Sequence, residues 1–305
     1  MIDILIIGDK GFLGRALIKS FVNESKVRLI KYSQFKNNIE DENFSEELKL
    51  KIKNYDDFYI INAAGSYDEL NPSKMFRSNY GLVNDIVKLA HLIKIRKFIQ
   101  VSSIGVYKKI NKGVISESSP LEPCNIYEMS KLMADNLLIT NSKAMNILIV
   151  RPSNIVGREM KSGWMKSLLK SVKQNIFFYF DNKDAVINYI DVDDLSDIIK
   201  YLTLNDQDYS GYKIINISHN IQLKAFIEIA KEFFNKSSVK TLNVKQGIVY
   251  FIIKLIPESL IRLPLNQKRF FELNKSVVFE SEQISNLDLI HKSKNIKKII
   301  EILEK

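Results

Sequence analysis

The residues best suited to chemistry are a tyrosine and a lysine four positions apart, Tyr127 and Lys131. The surrounding pattern predicts a helix over 126–140, so the i, i+4 spacing puts both side chains on one face. A tyrosine with an ordinary pKa of about 10 is a poor general base at neutral pH, and an adjacent ammonium favours its phenolate. The pair therefore predicts proton transfer by Tyr127, with Lys131 as its electrostatic partner.

A serine is the third candidate for this chemistry. Ser102 and Ser103 follow Phe98–Val101, a predicted parallel strand, and open α/β sheets bind ligands at the carboxyl ends of such strands. The hydroxyl of Ser103 could hold the substrate oxygen that gains or loses a proton. Tyr-x-x-x-Lys alone is a weak signal, and the position of this serine strengthens it.

A glycine-rich turn lies near the start of the chain. Gly8, Gly11 and Gly14 are spaced G-x-x-G-x-x-G between a predicted strand over 3–7 and a predicted helix over 12–22. Such a turn lets the backbone at a helix N-terminus approach a pyrophosphate. The context predicts a dinucleotide-binding loop, and the alternative is an ordinary strand-to-helix turn.

The end of the second predicted strand, over 26–31, bears on the choice of cofactor. An acidic residue there would bind the ribose hydroxyls of NAD. The sequence instead has Lys31, followed by Ser33, and a cation and a hydroxyl suit the 2′-phosphate of NADP. NADP is therefore favoured over NAD, although both side chains could simply be solvated.

Five motifs occur in order along the chain and carry a resemblance. They are Gly8-x-x-Gly11-x-x-Gly14, Asn62-Ala63-Ala64-Gly65, Val101-Ser102-Ser103-Ile104-Gly105-Val106-Tyr107, Tyr127-x-x-x-Lys131 and Arg151-Pro152-Ser153-Asn154-Ile155-Val156-Gly157. Together they resemble the extended short-chain dehydrogenases of the NAD-dependent epimerase/dehydratase family over about residues 3–240. Segments 188–194 and 212–217 resemble two later landmarks of that family.

The resemblance implies roles for individual residues. Tyr127 would be the acid/base, Lys131 its partner and a ribose ligand, and Ser103 the ligand of the substrate hydroxyl. Asn154 would contact the substrate, and Asn79 would brace the strand near Ser103. The residues expected to bind the cofactor are Gly8, Gly11, Phe12, Leu13, Gly14, Lys31, Ser33, Ala63, Ala64, Gly65, Tyr127, Lys131, Arg151 and Pro152.

Departures from the family pattern narrow the reaction. Many sugar epimerases hold the nucleotide diphosphate with an arginine where this chain has Ile187, so we expect Arg262, Lys268 or Arg269 to bind it instead. The acidic pair of the sugar dehydratases is replaced by Ile104-Gly105, which argues against dehydration. The short link from strand two to strand three and the segment 248–285 resemble 4-keto-sugar reductases.

The elements that must position these residues alternate between strand and helix, which predicts a doubly wound parallel sheet of Rossmann type. We expect a dinucleotide-binding domain over 1–160 and a smaller substrate-binding lobe over 161–305, with about 189–217 packing back on the first domain. Further helices are expected over 79–94, 162–174, 192–203, 221–235 and 294–304, and further strands over 58–62, 145–150 and 212–217.

Composition excludes several classes of protein. The chain has 305 residues and a net charge of +10, but its basic residues are mixed with acidic ones, so an anionic substrate is a better explanation than a nucleic acid. A single cysteine, Cys124, excludes an internal disulfide, and the histidines and cysteine show no metal-site spacing. Apolar runs are too short to span a membrane, which predicts a cytoplasmic enzyme. Apolar faces on helices 79–94 and 126–140, including Ile86, Leu89 and Leu138, predict a homodimer.

These observations favour an NADP-dependent oxidoreductase that reduces a 4-keto sugar linked to a nucleotide diphosphate, in polysaccharide biosynthesis. The alternative is a nucleotide-sugar 4-epimerase with tightly bound NAD. A third possibility, a non-catalytic member that senses the cofactor, is disfavoured because Ser103, Tyr127 and Lys131 are all present.

Overall fold

The computed structural model describes residues 1–38, 41–54, 56–143, 145–160, 163–179, 182, 184–205, 211–236, 240–243, 275–281 and 296–304. The expected diphosphate ligands Arg262, Lys268 and Arg269 lie outside the described residues, as does most of the segment 248–285.

The centre of the fold is a six-stranded sheet in which all neighbouring strands are parallel. Its strands are β1 (Ile2–Ile7), β2 (Val27–Lys31), β3 (Phe58–Asn62), β4 (Lys97–Val101), β6 (Asn146–Pro152) and β10 (Tyr212–Ile217), in the spatial order β10-β6-β4-β3-β1-β2. The inner strands are buried along almost their whole length and are mostly apolar, because helices cover both faces. The doubly wound α/β fold expected from the sequence is confirmed.

Alternate residues of β1 define the two cores. Ile4 and Ile6 face α1 (Phe12–Phe21) and α7 (Val192–Asn205). Leu5 and Ile7 face the opposite layer, which consists of α2 (Glu42–Lys51), α4 (Leu82–Ala90) and α5 (Ile126–Thr140). Two short elements precede α4, namely α3 (Pro72–Phe76) and a π-helical turn (Arg77–Gly81). The two layers hold the carboxyl ends of the strands in fixed positions.

A third core lies beyond the large sheet. Met165, Phe226 and Ile300 bring together α6 (Trp164–Lys173), α8 (Leu223–Phe233) and α9 (Ile296–Glu304). Among the described residues, three small sheets lie outside the large one. They pair β7 (Asn154–Val156) with β9 (Val186–Asp191) and β11 (His219–Gln222), β8 (Ile176–Tyr179) with β12 (Lys240–Asn243), and β5 (Lys112–Ile115) with β13 (Ser276–Phe279).

The apolar residues expected to form a dimer interface are used inside the chain. Ile86, Leu89 and Leu138 are 0%, 4% and 0% exposed and pack beneath the large sheet. An apolar stripe on a helix indicates that one face is buried, but it does not tell whether that face packs within the chain or against a second copy. These three residues therefore do not support the homodimer. In the described part of the chain, no helix has the length and apolar character needed to cross a bilayer.

Candidate active site

The glycine-rich loop packs backbone against backbone. Gly8 directly follows β1 and has φ +84°, and a Cβ there would lie 2.6 Å from the amide nitrogen of Ala64. A Cβ on Gly14 would lie 2.0 Å from the carbonyl oxygen of Gly8. Both positions therefore require glycine, the first for its backbone conformation and both for the close approach.

The loop leads into a helix N-terminus suited to an anion. Gly11 precedes α1 in an extended conformation, and its N–H donates to the Gly8 carbonyl at 2.8 Å. Within α1, the first turn has no acidic residue and no capping side chain, so its N–H groups are not taken by the helix's own side chains. Leu13 is buried, and the ring of Phe12 lies against Gly157. These features fit the pyrophosphate of a dinucleotide, held by the backbone.

An acidic residue reaches the end of β2 from this loop. Asp9 is 5% exposed, and its Oδ1 accepts the backbone N–H of Ser33 at 3.0 Å. Its Oδ2 accepts the Ser33 hydroxyl. This carboxylate was not expected from the sequence, where an acid was sought only among the residues that follow β2. Lys31, the last residue of β2, is half-buried.

The end of β3 forms the neighbouring wall. The amide of Asn62 donates to Gln100 at 2.9 Å and accepts the Ala64 N–H at 3.1 Å, while the Ala63 N–H donates to Ile7 at 2.9 Å. A Cβ on Gly65 would lie 3.1 Å from Nζ of Lys131. The Ala63–Gly65 segment therefore joins the glycine-rich loop to the lysine.

The three predicted catalytic residues come together at the carboxyl end of β4. The side chain of Ser103 lies beside the Tyr127 hydroxyl, and its Oγ accepts the Gly105 N–H at 3.0 Å. Burial raises the pKa of Tyr127, and the interaction with Ser103 opposes that effect. The Tyr127 hydroxyl is therefore protonated at neutral pH and lies next to the serine.

Lys131 lies one helical turn further along α5. It is almost fully buried and its Nζ donates to the Val101 carbonyl at 3.0 Å. Burial lowers the pKa of this lysine from 10.5 to about 8, against the opposing attraction of Asp135. Its charge is therefore sensitive to pH in the range where enzymes work.

Asn79 braces a different part of the site from the one expected. Its amide donates to the Ser66 carbonyl and to the Ser130 hydroxyl, each at 3.0 Å, and accepts the Ser66 N–H at 2.9 Å. It thus joins the loop after β3 to α5. The described contacts do not link it to the strand that leads to Ser103.

Arg151, expected to bind the cofactor, has its guanidinium buried inside the protein. It is 1% exposed and donates to Asp135 at 3.1 Å and 3.0 Å and to the Tyr107 hydroxyl at 2.9 Å. The same oxygen of Asp135 accepts the Ser102 hydroxyl at 2.9 Å. The Arg151 guanidinium is committed to these bonds, and the adjacent Pro152 is also buried in β6. Contact of either residue with the cofactor stays a prediction.

The expected substrate residue Asn154 is exposed at the edge of β7, where its amide donates to the Asn188 carbonyl at 3.0 Å. Asn188 in turn donates to the Val277 carbonyl at 2.9 Å. Ile187, which stands where many epimerases have arginine, is 3% exposed in the third core. Its position on β9 therefore offers the pocket neither a charge nor a hydrogen-bond donor.

Two neighbours of Tyr127 escaped the sequence analysis. The ring of Tyr67 packs edge-on against it, with centroids 5.1 Å apart. Glu128, the next residue on α5, accepts Lys109 at 2.8 Å and the Cys124 N–H at 2.8 Å. Neither residue belongs to a motif, although Tyr67 follows Gly65 closely enough to have suggested proximity.

Comparison with known proteins identifies a family and relatives that this chain resembles. The model of the NAD dependent epimerase/dehydratase family matches residues 4–218. A GDP-6-deoxy-D-talose 4-dehydrogenase from Aggregatibacter actinomycetemcomitans is 27% identical over 170 residues, which are 52% of this chain and 53% of that relative. The match thus spans about half the length of the curated relative.

Solved structures share the fold along almost the entire chain. The UDP-Glc/GlcNAc 4-epimerase of Campylobacter jejuni superposes with a TM-score of 0.72 at 19% identity, over 99% of this chain and 98% of that one. The RMD protein of Pseudomonas aeruginosa, solved with NADPH, gives 0.67 at 16% identity over 99% and 98%. The UDP-glucuronic acid 4-epimerase of Bacillus cereus, solved with NAD, gives 0.71 at 16% identity over 99% and 97%.

Proposed function

This chain belongs to the NAD-dependent epimerase/dehydratase family, as its motifs indicated, and from that premise we propose that it oxidises or reduces a sugar carbon of a nucleotide-diphosphate sugar. The observation that supports this most directly is the placement of Ser103 beside the Tyr127 hydroxyl at the carboxyl end of β4. Lys131 lies one turn along the same helix and beside Gly65, next to the loop that fits a dinucleotide.

A nicotinamide dinucleotide, held by the loop Gly8–Gly14 and by Ala63–Gly65, would supply or accept the hydride. Tyr127 handles the proton: in reduction its hydroxyl donates to the carbonyl oxygen of the sugar, and in oxidation its phenolate accepts the proton of the sugar hydroxyl. Ser103 holds that same sugar oxygen through its hydroxyl. The ammonium of Lys131 stabilises the phenolate whenever Tyr127 has lost its proton.

We propose 4-keto reduction as the direction and position of the reaction. The curated relative is named for oxidation at C4 of a GDP-linked 6-deoxy sugar, and the reverse of such a step is a 4-keto reduction. The buried Ile187 removes one clamp on the diphosphate, which favours release of the sugar after a single hydride transfer.

A 4-epimerase is the second candidate, and one observation favours it. The carboxylate of Asp9 beside Ser33 supplies the acid that seemed to be missing from the ribose site, and an acid there favours retained NAD. An epimerase must keep both the cofactor and the keto intermediate bound while the keto sugar rotates in the site. The preference for NADP, expected from Lys31 and Ser33, is weakened by the same carboxylate.

The two reactions separate in one experiment. The purified protein is first denatured and its released nucleotide identified, and the intact protein is then given UDP-, GDP- and dTDP-linked sugars and their 4-keto derivatives. A reductase consumes added NADH or NADPH on a 4-keto sugar, with a new C4 hydroxyl in the NMR spectrum. Formation of 4-epimers without added cofactor, together with no consumption of NADH or NADPH on any 4-keto sugar, would reject the reductase in favour of the epimerase.

We further propose that residues 161–305 form the substrate-binding lobe and that the protein is a homodimer. The dimer proposal now depends on Ile126, Met129 and Met133 of α5, which are 52%, 45% and 36% exposed. An open groove lined by Phe76 and Tyr80 continues from Ile126, so this apolar surface could be covered by a second copy of the chain.

A further inference from the structure

We infer that Asp9 is the residue by which this chain distinguishes NAD from NADP, and that it disfavours the 2′-phosphate. The inference deepens the proposed function, because it depends on the binding of a nicotinamide dinucleotide. It rests on the position of Asp9 and on the direction of its two hydrogen bonds with Ser33.

The position of the carboxylate comes first. In a doubly wound sheet the adenosine ribose lies at the carboxyl end of the second strand, and an acid there accepts its 2′-hydroxyl. Here β2 ends at Lys31, and no acid follows on that strand. Asp9 enters the same place from the loop between β1 and α1 and contacts Ser33.

The direction of the hydrogen bonds comes second. A 2′-phosphate needs donors, and Ser33 has two, its backbone N–H and its hydroxyl. The N–H donates to Oδ1 of Asp9 at 3.0 Å, and the hydroxyl donates to Oδ2. Ser33 is left with lone pairs, which can accept a ribose hydroxyl but not a phosphate oxygen.

The charge comes third. Asp9 is 5% exposed, so its negative charge is poorly screened by water. A 2′-phosphate bound beside Ser33 would meet this charge at close range. Lys31 lies two residues away in the sequence, is half-buried, and offers a cation that would attract the phosphate. The relative affinity for NAD and NADP therefore depends on both charges, and we infer that Asp9 shifts it towards the unphosphorylated ribose.

Asp9→Asn is the variant that tests this balance. The side chain keeps its shape and one acceptor for the Ser33 N–H but loses the charge, so NADPH should gain affinity relative to NADH. Because hydrogen bonds to charged groups have the largest effects, we expect the ratio of the two dissociation constants to shift by about 10- to 100-fold. The readout is the dissociation constant of each reduced cofactor, from titration of nicotinamide fluorescence.

Ser33→Ala is the second variant, and it removes the hydroxyl while leaving the charge. We expect Ser33→Ala to weaken the binding of NADH several-fold without strengthening the binding of NADPH. Asp56→Asn is a control for the loss of one carboxylate, since Asp56 precedes β3 at the opposite end of the sheet and is exposed. Circular dichroism and a thermal melt establish that each variant is folded.

The inference is supported if the wild type binds NADH at least as tightly as NADPH and Asp9→Asn moves the ratio towards NADPH. It is overturned if the wild type binds NADPH at least tenfold more tightly than NADH, or if Asp9→Asn leaves the ratio of the two dissociation constants unchanged. If Asp9→Asn does not fold, a Ser33→Ala protein that binds NADPH more tightly than NADH also overturns it. Absence of binding of either cofactor to the folded wild type rejects the proposed function itself.

Discussion

Replacing Lys131 with methionine should reveal the free-energy cost of burying the Lys131 ammonium. The pKa of this lysine is lowered from 10.5 to about 8 because the side chain is almost fully buried. At about 1.4 kcal/mol per unit, the difference between those values corresponds to roughly 3 kcal/mol of unfavourable free energy in the folded state at neutral pH. Methionine has a similar shape and carries no charge.

The sign of the pH dependence follows from where the proton is bound. Between about pH 8 and pH 10.5 the unfolded chain holds the proton of Lys131 more tightly than the folded protein does. The free energy of unfolding of the wild type should therefore rise with pH across that window, relative to Lys131→Met, by roughly 3 kcal/mol. The lost bond to the Val101 carbonyl shifts the variant by a constant that does not depend on pH.

Urea unfolding followed by circular dichroism, in steps from pH 7 to pH 10.5, measures this difference for wild type and variant. Lys224→Met, a substitution of an exposed lysine on α8, is the matched control and should show no such trend. The methionine variant should also lose at least about 10²-fold in kcat. A stability difference that stays constant across the pH range would refute the assigned burial cost.

Three other predictions test the site and the assembly. Tyr127→Phe should lower kcat by at least about 10²-fold while the dissociation constant of the reduced cofactor, measured by fluorescence titration, stays within about twofold; near-normal turnover contradicts the assignment. Asp135→Asn leaves the buried Arg151 without its counter-charge and should lower the free energy of unfolding by about 3–5 kcal/mol in urea titrations, whereas Ser102→Ala should cost only about 1–3 kcal/mol. Met129→Glu should convert a dimer to a monomer in light scattering, and a wild type that is monomeric at micromolar concentration rejects the dimer.

Much of the fold could be predicted because each strand and helix carries its own periodicity. The six strands of the large sheet and helices α1, α5 and α7 were all expected near their observed bounds. The helix α2 was missed, although Phe44 and Leu48 mark its buried face four residues apart. The strands β5, β7, β8 and β12 were also missed, since three or four residues are too few to show a period.

Tyr127, Lys131 and the glycine-rich loop could be located from the sequence because their geometry is local. Four residues span one helical turn wherever a helix occurs, and a strand-to-helix turn needs glycine wherever it approaches another backbone. These constraints act between neighbours in the chain, so they can be read from spacing alone.

The surroundings of those residues were decided by tertiary packing. Arg151 belongs to one of the five motifs, but its guanidinium lies inside the protein, where it donates hydrogen bonds to Asp135 and Tyr107. No acidic residue follows β2 in the sequence, yet the parallel pairing of β1 with β2 brings Asp9 to Ser33. Contacts between distant segments depend on which strands pair and which faces helices cover, and spacing along the chain does not encode that choice.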